Sequence, residues 1–431
     1  MKHLREINAI ALPAIVSNIT TPLLGLVDMA ITGHIGGAAF IGAVAIASTV
    51  FNITYWLFNF LRMGTSGPVA QAYGAGDSRE IDAMLWRSLF VALALGVVIL
   101  AAGLGSGSFL IDFMDADRNS SGLALRYFSI CILAAPAVMT TYALTGWLIG
   151  MQNSRIPMVV AIATDIVNIA LSTALVFGFN LRLEGIAIGT LTAQYFGAAM
   201  CFIIVYRKYS PRRVELRYIF RAYRLLRFFR INTDFFFRTA CMVAVTLWFT
   251  HAGARSGVDI LAANALLLQL FMLFSYFMDG FAFAGEALAG KYTGRADHTA
   301  LETLINSLMK TGLIFAGIFT ALYAALGREF LQILADSTEV TDTAVRFLPW
   351  AVAVPVCGFA AFLWDGIYVG LTRTRIMLAS TAIAMLAFFI LCTALTPAMG
   401  NNALWLAFCT YLAVRGLIEY LCYLSKKPYK K

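Results

Sequence analysis

Apolar residues in this chain fall into long runs, separated by short polar or glycine-rich breaks. A helix needs about 20 apolar residues to cross a bilayer. The runs predict twelve spanning helices near 8–33, 42–73, 84–108, 124–150, 156–179, 184–206, 229–252, 258–290, 304–327, 343–371, 375–397 and 402–424. The first is expected to be a span and not a signal peptide. Lys2 and Arg5 precede it, but its apolar run is too long and no small-residue cleavage site follows.

Composition agrees with this pattern and narrows it. The 431 residues are 60% hydrophobic and 13% charged, against about 45–50% and about 25% in soluble domains. Disordered, collagen-like and secreted disulfide scaffolds are excluded. Twelve spans leave no room for a separate ATPase, kinase or DNA-binding module. The net charge of +9 reads as membrane topology and not as a nucleic-acid surface. Twenty-three Lys and Arg fall on the side of the N-terminus, among them Lys2, Arg5, nine in the 207–230 link and Lys426, Lys427, Lys430 and Lys431. Six, including Arg118, fall on the opposite side, and Arg62, Arg238 and Arg415 lie within spans. By the positive-inside rule both termini are cytoplasmic, which requires an even number of spans. The expected location is the cytoplasmic (inner) membrane.

The seven cysteines lie in apolar runs without a C-x-x-C pair and read as packing residues. His3, His34, His251 and His298 are scattered, so no metal site is expected.

The two halves of the chain resemble each other. Gly146-Trp147-Leu148-Ile149-Gly150 with Arg155-Ile156 recurs, 220 residues later, as Gly366-Ile367-Tyr368-Val369-Gly370 with Arg375-Ile376. At nearly the same offset Tyr73-Gly74-Ala75-Gly76-Asp77 faces Tyr292 to Asp297. A six-span offset preserves orientation, so the repeats are parallel and related by an axis along the membrane normal. The expected organisation is an N-lobe over 1–206, a basic cytoplasmic link over 207–230 and a C-lobe over 231–431. The fold class is an all-α integral membrane protein of two pseudo-two-fold-related six-helix bundles, an architecture of transporters. The Gly-x-x-x-Gly pairs at Gly146/Gly150, Gly185/Gly189 and Gly366/Gly370 are read as close helix contacts.

A charge at the bilayer centre costs roughly 2.5–3.5 kcal/mol on insertion scales, so each one needs a partner, a proton or water. Asp28 lies two-thirds through the first span, downstream of Thr20, Thr21 and Pro22. Low dielectric disfavours a charged carboxylate. Such a group can cycle between protonated and ionised states as a cavity opens to either side. Asp165 and Asn168 share a face of the fifth span with Ser172, and Thr190 and Gln194 repeat the spacing in the sixth. In the second half Asp279 and Glu286 lie seven apart on one helix face, and Asp365 sits near the middle of the tenth span. Asp234/Arg238 and Arg415/Glu419 are i, i+4 pairs expected to neutralise each other. The spans are also rich in aromatics, whose faces suit flat lipophilic cations.

These residues carry a family resemblance over almost the whole chain. Leu12-Pro13 with Val27-Asp28, Arg62-Met63-Gly64-Thr65 with Gly74-Ala75-Gly76-Asp77, Asn264-Ala265, Asp279-Gly280-Phe281-Ala282 with Glu286, and Leu363-Trp364-Asp365-Gly366 with Thr372-Arg373 are its marks. The sequence resembles the multidrug and toxic compound extrusion (MATE) family, in the branch typified by DNA-damage-inducible protein F. The resemblance implies two six-helix lobes forming a V. It implies export of cationic or amphipathic compounds by alternating access, driven by inward H⁺ or Na⁺. Asp28 matches a first-helix acid tied to proton coupling, with Asn168 and Thr190 as its polar partners. Ser172 stands where some relatives carry a second acid. Asp365 matches a tenth-helix acid of a cation site in Na⁺-coupled relatives. Phe235-Phe236-Phe237-Arg238 stands where those relatives carry a seventh-helix acid, so H⁺ is the expected coupling ion and Na⁺ the alternative.

The expected function is a secondary antiporter that exports lipophilic, cationic compounds in exchange for H⁺. Asp28, Asn168 and Thr190 would serve proton coupling. Asp28, Arg62, Asp165, Gln194, Asp279 and Glu286 would line the substrate cavity, and Asp365 is a possible cation site. No cofactor is expected. The expected partners are the lipid bilayer and small-molecule drugs or toxic amphiphiles, with no nucleic acid, and the protein is expected to be a monomer. A lipid-linked saccharide flippase is a second reading, disfavoured because buried acids outnumber buried bases. A membrane-embedded enzyme is a third, with no nucleophile motif, aspartate-protease motif or histidine-rich site behind it.

Overall fold

The structure, a computed structural model, describes residues 2–36, 38–112, 118–334 and 337–425. Residues 113–117 of the acidic loop and Lys426, Lys427, Lys430 and Lys431 lie outside the described residues, as do the side chains of Lys2, Thr21, His34 and Arg118. Twelve long helices account for nearly all of it. They are α1 (Lys2–Gly36), α2 (Phe40–Ala75), α3 (Ser78–Ile111), α4 (Ser121–Gly150), α5 (Arg155–Gly178), α6 (Arg182–Tyr209), α7 (Ala222–Arg255), α8 (Val258–Gly294), α9 (His298–Leu334), α10 (Thr338–Gly370), α11 (Thr374–Met399) and α12 (Asn401–Ser425). Eleven, α2 to α12, are long and apolar enough to cross a membrane by length and composition. The first, α1, is 35 residues long and contains the 8–33 apolar run. The chain is therefore an all-α, multi-pass membrane protein. Helices suit this setting because every interior backbone N–H and C=O is satisfied within the segment.

Several helices outrun their apolar runs. The third begins at Ser78 and not near 84, and α7 begins at Ala222 and not near 229. Extending an existing helix through polar residues costs little, so helices run on until the backbone is forced to turn. One such stop follows α2, where Gly76 takes φ +74° and the amides of Gly76 and Asp77 bond back to the carbonyls of Tyr73 and Ala72. The stop after α8 has the same bonds 220 residues on: Ala296 takes φ +55°, and the amides of Ala296 and Asp297 bond to Thr293 and Tyr292. This fixes the register of the duplication. Gly76 corresponds to Ala296, and Tyr73 to Thr293 and not to Tyr292. A second matched pair follows α4 and α10, where Gln152 (φ 63°) and Thr372 (φ 54°) donate to Ile149 and Val369.

Contacts divide the chain into two compact units, Val16–Asn232 and Met1–Ile15 with Thr233–Lys431. The division falls within α1: its first turns pack with the second unit, where a Cβ on Gly280 of α8 would collide with Ile15 and with the carbonyl of Ala11. In lipid no hydrophobic force drives one helix onto another, and small residues that admit close approach take over. In the Val16–Asn232 unit a Cβ on Gly146 of α4 would collide with the Arg62 carbonyl of α2, and one on Gly150 would lie 2.7 Å from that of Ser66. In the other unit Gly366 meets the Ala282 carbonyl in the same way, and a Cβ on Gly370 would lie 2.5 Å from that of Glu286. Both contacts repeat at the offset of 220. A buried amide pair, Asn264 with Asn401, ties α8 to α12 at 2.8 and 2.9 Å, and the Trp405 indole donates to Asn264 at 2.8 Å.

Candidate functional site

In the Val16–Asn232 unit several of the polar residues singled out from the sequence meet. Asn168 of α5 is fully buried, and its Nδ2 donates to Thr190 Oγ1 of α6 at 3.2 Å. The Ser172 hydroxyl, one turn on, donates to Asn168 Oδ1 at 3.1 Å. The helices come this close because position 189 is glycine: a Cβ there would overlap Ser172. Just past Ser172 the helix widens into a π turn over Ala174–Gly178, a local irregularity frequent at functional sites.

Asp28 of α1 and Asp165 of α5 lie within each other's electrostatic reach, and Thr20 faces Asp165. Each acid has one oxygen, Asp28 Oδ1 and Asp165 Oδ2, that is buried and accepts no hydrogen bond among the described residues. Thr32 bonds the Asp28 backbone carbonyl at 2.6 Å, leaving the carboxylate itself uncapped. Arg62 is buried at 8% exposure, and Gln194 is half-buried. Among the described residues neither acid forms an ion pair.

Two members of this cluster escaped the sequence reading. Tyr127 of α4 is buried at 4% exposure, within reach of the Thr190 hydroxyl, the Cys131 thiol and the field of Asp28. Cys131, read as a packing residue, lies one turn further along the same helix. Their i, i+4 spacing was the available signal, but a lone Tyr in an apolar run looks like packing.

The other unit treats its acids differently. Asp365 of α10 is buried at 8% exposure, and its Oδ2 accepts from Arg238 of α7 and, at 2.9 Å, from Arg415 of α12. Both guanidiniums are buried, at 5% and 1% exposure. Glu419, with no exposure, accepts from the Ser380 hydroxyl of α11 at 2.8 Å, while its backbone carbonyl accepts from Tyr368 at 2.8 Å. The expected i, i+4 pairing is therefore replaced. Arg238 bonds Asp365 and not Asp234, whose carboxylate instead takes the Thr374 hydroxyl. Arg415 also turns to Asp365, leaving Glu419 to Ser380. Both guanidiniums sit on Oδ2, and Asp365 Oδ1 accepts no hydrogen bond among the described residues. Glu286, at 1% exposure, and half-buried Asp279 lie elsewhere on α8 of this unit. Among the described residues no three His, Cys, Asp or Glu cluster to hold a metal.

The MatE family pattern matches the chain twice, over residues 13–174 and 234–394. The chain belongs to the MatE family. The two matches begin and end about 220 residues apart, the spacing of the duplicated turns and glycine contacts. MatE proteins are secondary transporters and not enzymes, and they need no cofactor. DNA damage-inducible protein F of Escherichia coli (strain K12) is 34% identical over 411 residues, covering 95% of this chain and 89% of its own length. The multidrug resistance protein NorM of Vibrio cholerae is 27% identical over 360 residues, 81% of this chain and 78% of its own. A crystal structure of MATE in the bent conformation superposes with a TM-score of 0.89 at 18% identity, covering 99% of this chain and 96% of that one. These agree on one fold.

Proposed function

We propose that this MatE transporter exports lipophilic, cationic compounds across the cytoplasmic membrane in exchange for H⁺, with both termini in the cytoplasm. Asp28 is the carboxylate that binds proton and substrate in competition. The observation that carries this reading is the state of Asp28: half-buried, without a fixed counter-charge among the described residues, and next to a second acid, Asp165. A carboxylate in that setting holds a proton in a dry state and releases it when water or a cation arrives. Outward-facing, Asp28 takes up H⁺ and lets the substrate go; inward-facing, it loses H⁺ and binds the next cation.

Asn168 and Thr190 orient the hydroxyl and amide groups that share the proton's hydrogen bonds, and Tyr127 extends that set. Arg62, Asp165 and Gln194 belong to the substrate-facing surface of this unit, with Asp279 and Glu286 as counterparts on α8. The multidrug names of relatives such as NorM support the substrate class. The Na⁺ reading would rest on Asp365, whose Oδ2 already holds two guanidiniums, and the observations therefore favour H⁺.

The test is transport by purified protein in proteoliposomes with pH and Na⁺ gradients imposed separately. A pH gradient should drive uptake of a lipophilic cation, and Asp28→Asn should lose that drive. Undiminished H⁺-driven transport by Asp28→Asn, or transport driven by Na⁺ alone, would sink the proposal.

A further inference from the structure

Between α6 and α7 the chain carries nine basic residues over 207–230 (Arg207, Lys208, Arg212, Arg213, Arg217, Arg221, Arg224, Arg227 and Arg230) against a single acid, Glu215. This segment is folded onto the start of α3. The Trp86 indole donates to the Arg212 carbonyl at 3.1 Å, the Arg212 amide donates to Asp82 at 3.2 Å, and Arg87 Nε donates to the Ile219 carbonyl at 3.0 Å. Tyr218, in the short helix Leu216–Ile219, is buried and donates to Glu80 at 3.3 Å. Around its ring stand three guanidiniums, those of Arg79, Arg221 and Arg224, at 4.2, 5.3 and 4.1 Å from the centroid.

Little of this charge is neutralised from within. Glu80 pairs with Arg87 and Arg224, and Asp77 and Asp82 bond backbone amides. Arg87 is 1% exposed, yet its Nη2 finds no acceptor among the described residues, nor does Nε of Arg224. Arg79, Arg213, Arg217, Arg221, Arg227 and Arg230 are exposed. Among them lie apolar side chains that water would not favour: Leu216 at 71% exposure, Leu226 at 70%, Tyr223 at 63% and Phe229 at 48%.

We propose that this face is a docking surface for anionic phospholipid headgroups of the bilayer that the protein spans. Both flanking helices enter the membrane, so the segment stays at the headgroup layer. The mixture of exposed guanidiniums with aliphatic and aromatic side chains fits the boundary between phosphate and acyl chain. A nucleic acid would leave Leu216 and Leu226 unburied. The guanidiniums bind phosphate oxygens, and the apolar side chains enter the acyl boundary and fix the segment's depth.

The test titrates purified full-length protein in detergent with phosphatidylglycerol or phosphatidylcholine and counts bound lipid by native mass spectrometry. Phosphatidylglycerol should bind the more tightly. The Arg213→Gln, Arg217→Gln, Arg221→Gln triple variant should lose about fivefold in that affinity per arginine, and added salt should narrow the gap between the lipids. Leu216→Ser with Leu226→Ser should weaken both lipids alike. All five side chains are exposed, so folding is not at stake, and the salt series on the unsubstituted protein is an independent check. Equal affinity for the two lipids would overturn the proposal. So would undiminished phosphatidylglycerol binding by the triple variant, or competition by inorganic phosphate or a DNA oligonucleotide as effective as by lipid.

Discussion

In the Val16–Asn232 unit, Asp28 and Asp165 share their surroundings with hydroxyls, an amide and a thiol. In the other unit, Asp365 lies between the guanidiniums of Arg238 and Arg415. Both arrangements put carboxylates inside a membrane protein, where an isolated charge is costly. They meet that cost in opposite ways. Two arginines, which do not deprotonate in proteins, give Asp365 a fixed counter-charge in any conformation that keeps the contact. Asp28 has no such clamp among the described residues, which is what the proposed proton exchange requires. The lesson is that equivalent chemistry at the level of sequence, an acid in a span, separates by its neighbours into one with fixed counter-charges and one without them among the described residues.

The largest effect should come from the unclamped side. Asp28→Asn should abolish H⁺-driven efflux in proteoliposomes while leaving thermal unfolding close to that of the parent protein. A large loss of stability instead would place Asp28 in the same fixed class as Asp365. The fixed side should respond in stability first. Arg415→Met leaves buried Asp365 and Glu419 with one cation fewer and should destabilise by about 3–5 kcal/mol, as breaking a buried pair does. Thermal unfolding in detergent reads this, and an unchanged midpoint would show that Arg415 is not a structural counter-charge.

Smaller effects test the duplication that underlies the comparison. Gly146→Ala and Gly366→Ala each push a methyl into a facing carbonyl, of Arg62 and of Ala282. Each should cost about 1–3 kcal/mol. Markedly unequal costs would mean that the two contacts are not equivalent. The smallest effect should be at the matched turns. Ala296 holds a left-handed backbone that costs an L-residue about 1–2 kcal/mol, so Ala296→Gly should stabilise by about 0.5–1 kcal/mol after the added entropy of glycine. Gly76→Ala should destabilise by a similar amount, read from paired thermal melts.

Much of this was legible in the sequence. Apolar run length gave twelve spans because the bilayer thickness sets a minimum length that few soluble helices meet. The duplication was visible in Gly146/Gly150 and Gly366/Gly370, though its register at Gly76 and Ala296 needed the backbone, since matching tyrosines pulled the alignment off by one. Helix ends were misplaced wherever charge continued into helix, as at Ala222. Of the polar cluster, Asn168, Ser172 and Thr190 were found because i, i+4 spacing marks a face. Tyr127 and Cys131 were missed because residues that pack apolar cores also serve polar ones.

The sequence by itself determined the solvent, the long apolar helices, the internal repeat and the family, because each depends on composition or on spacing along one chain. Only the tertiary structure decided which charges meet. Arg238 and Arg415 reach Asp365 across 127 and 50 residues, bypassing acids four positions away on their own helices. Spacing along a helix shows which side chains share a face. Which partner they meet depends on how neighbouring helices are rotated and brought together, and small residues such as Gly189 and Gly366 set that approach.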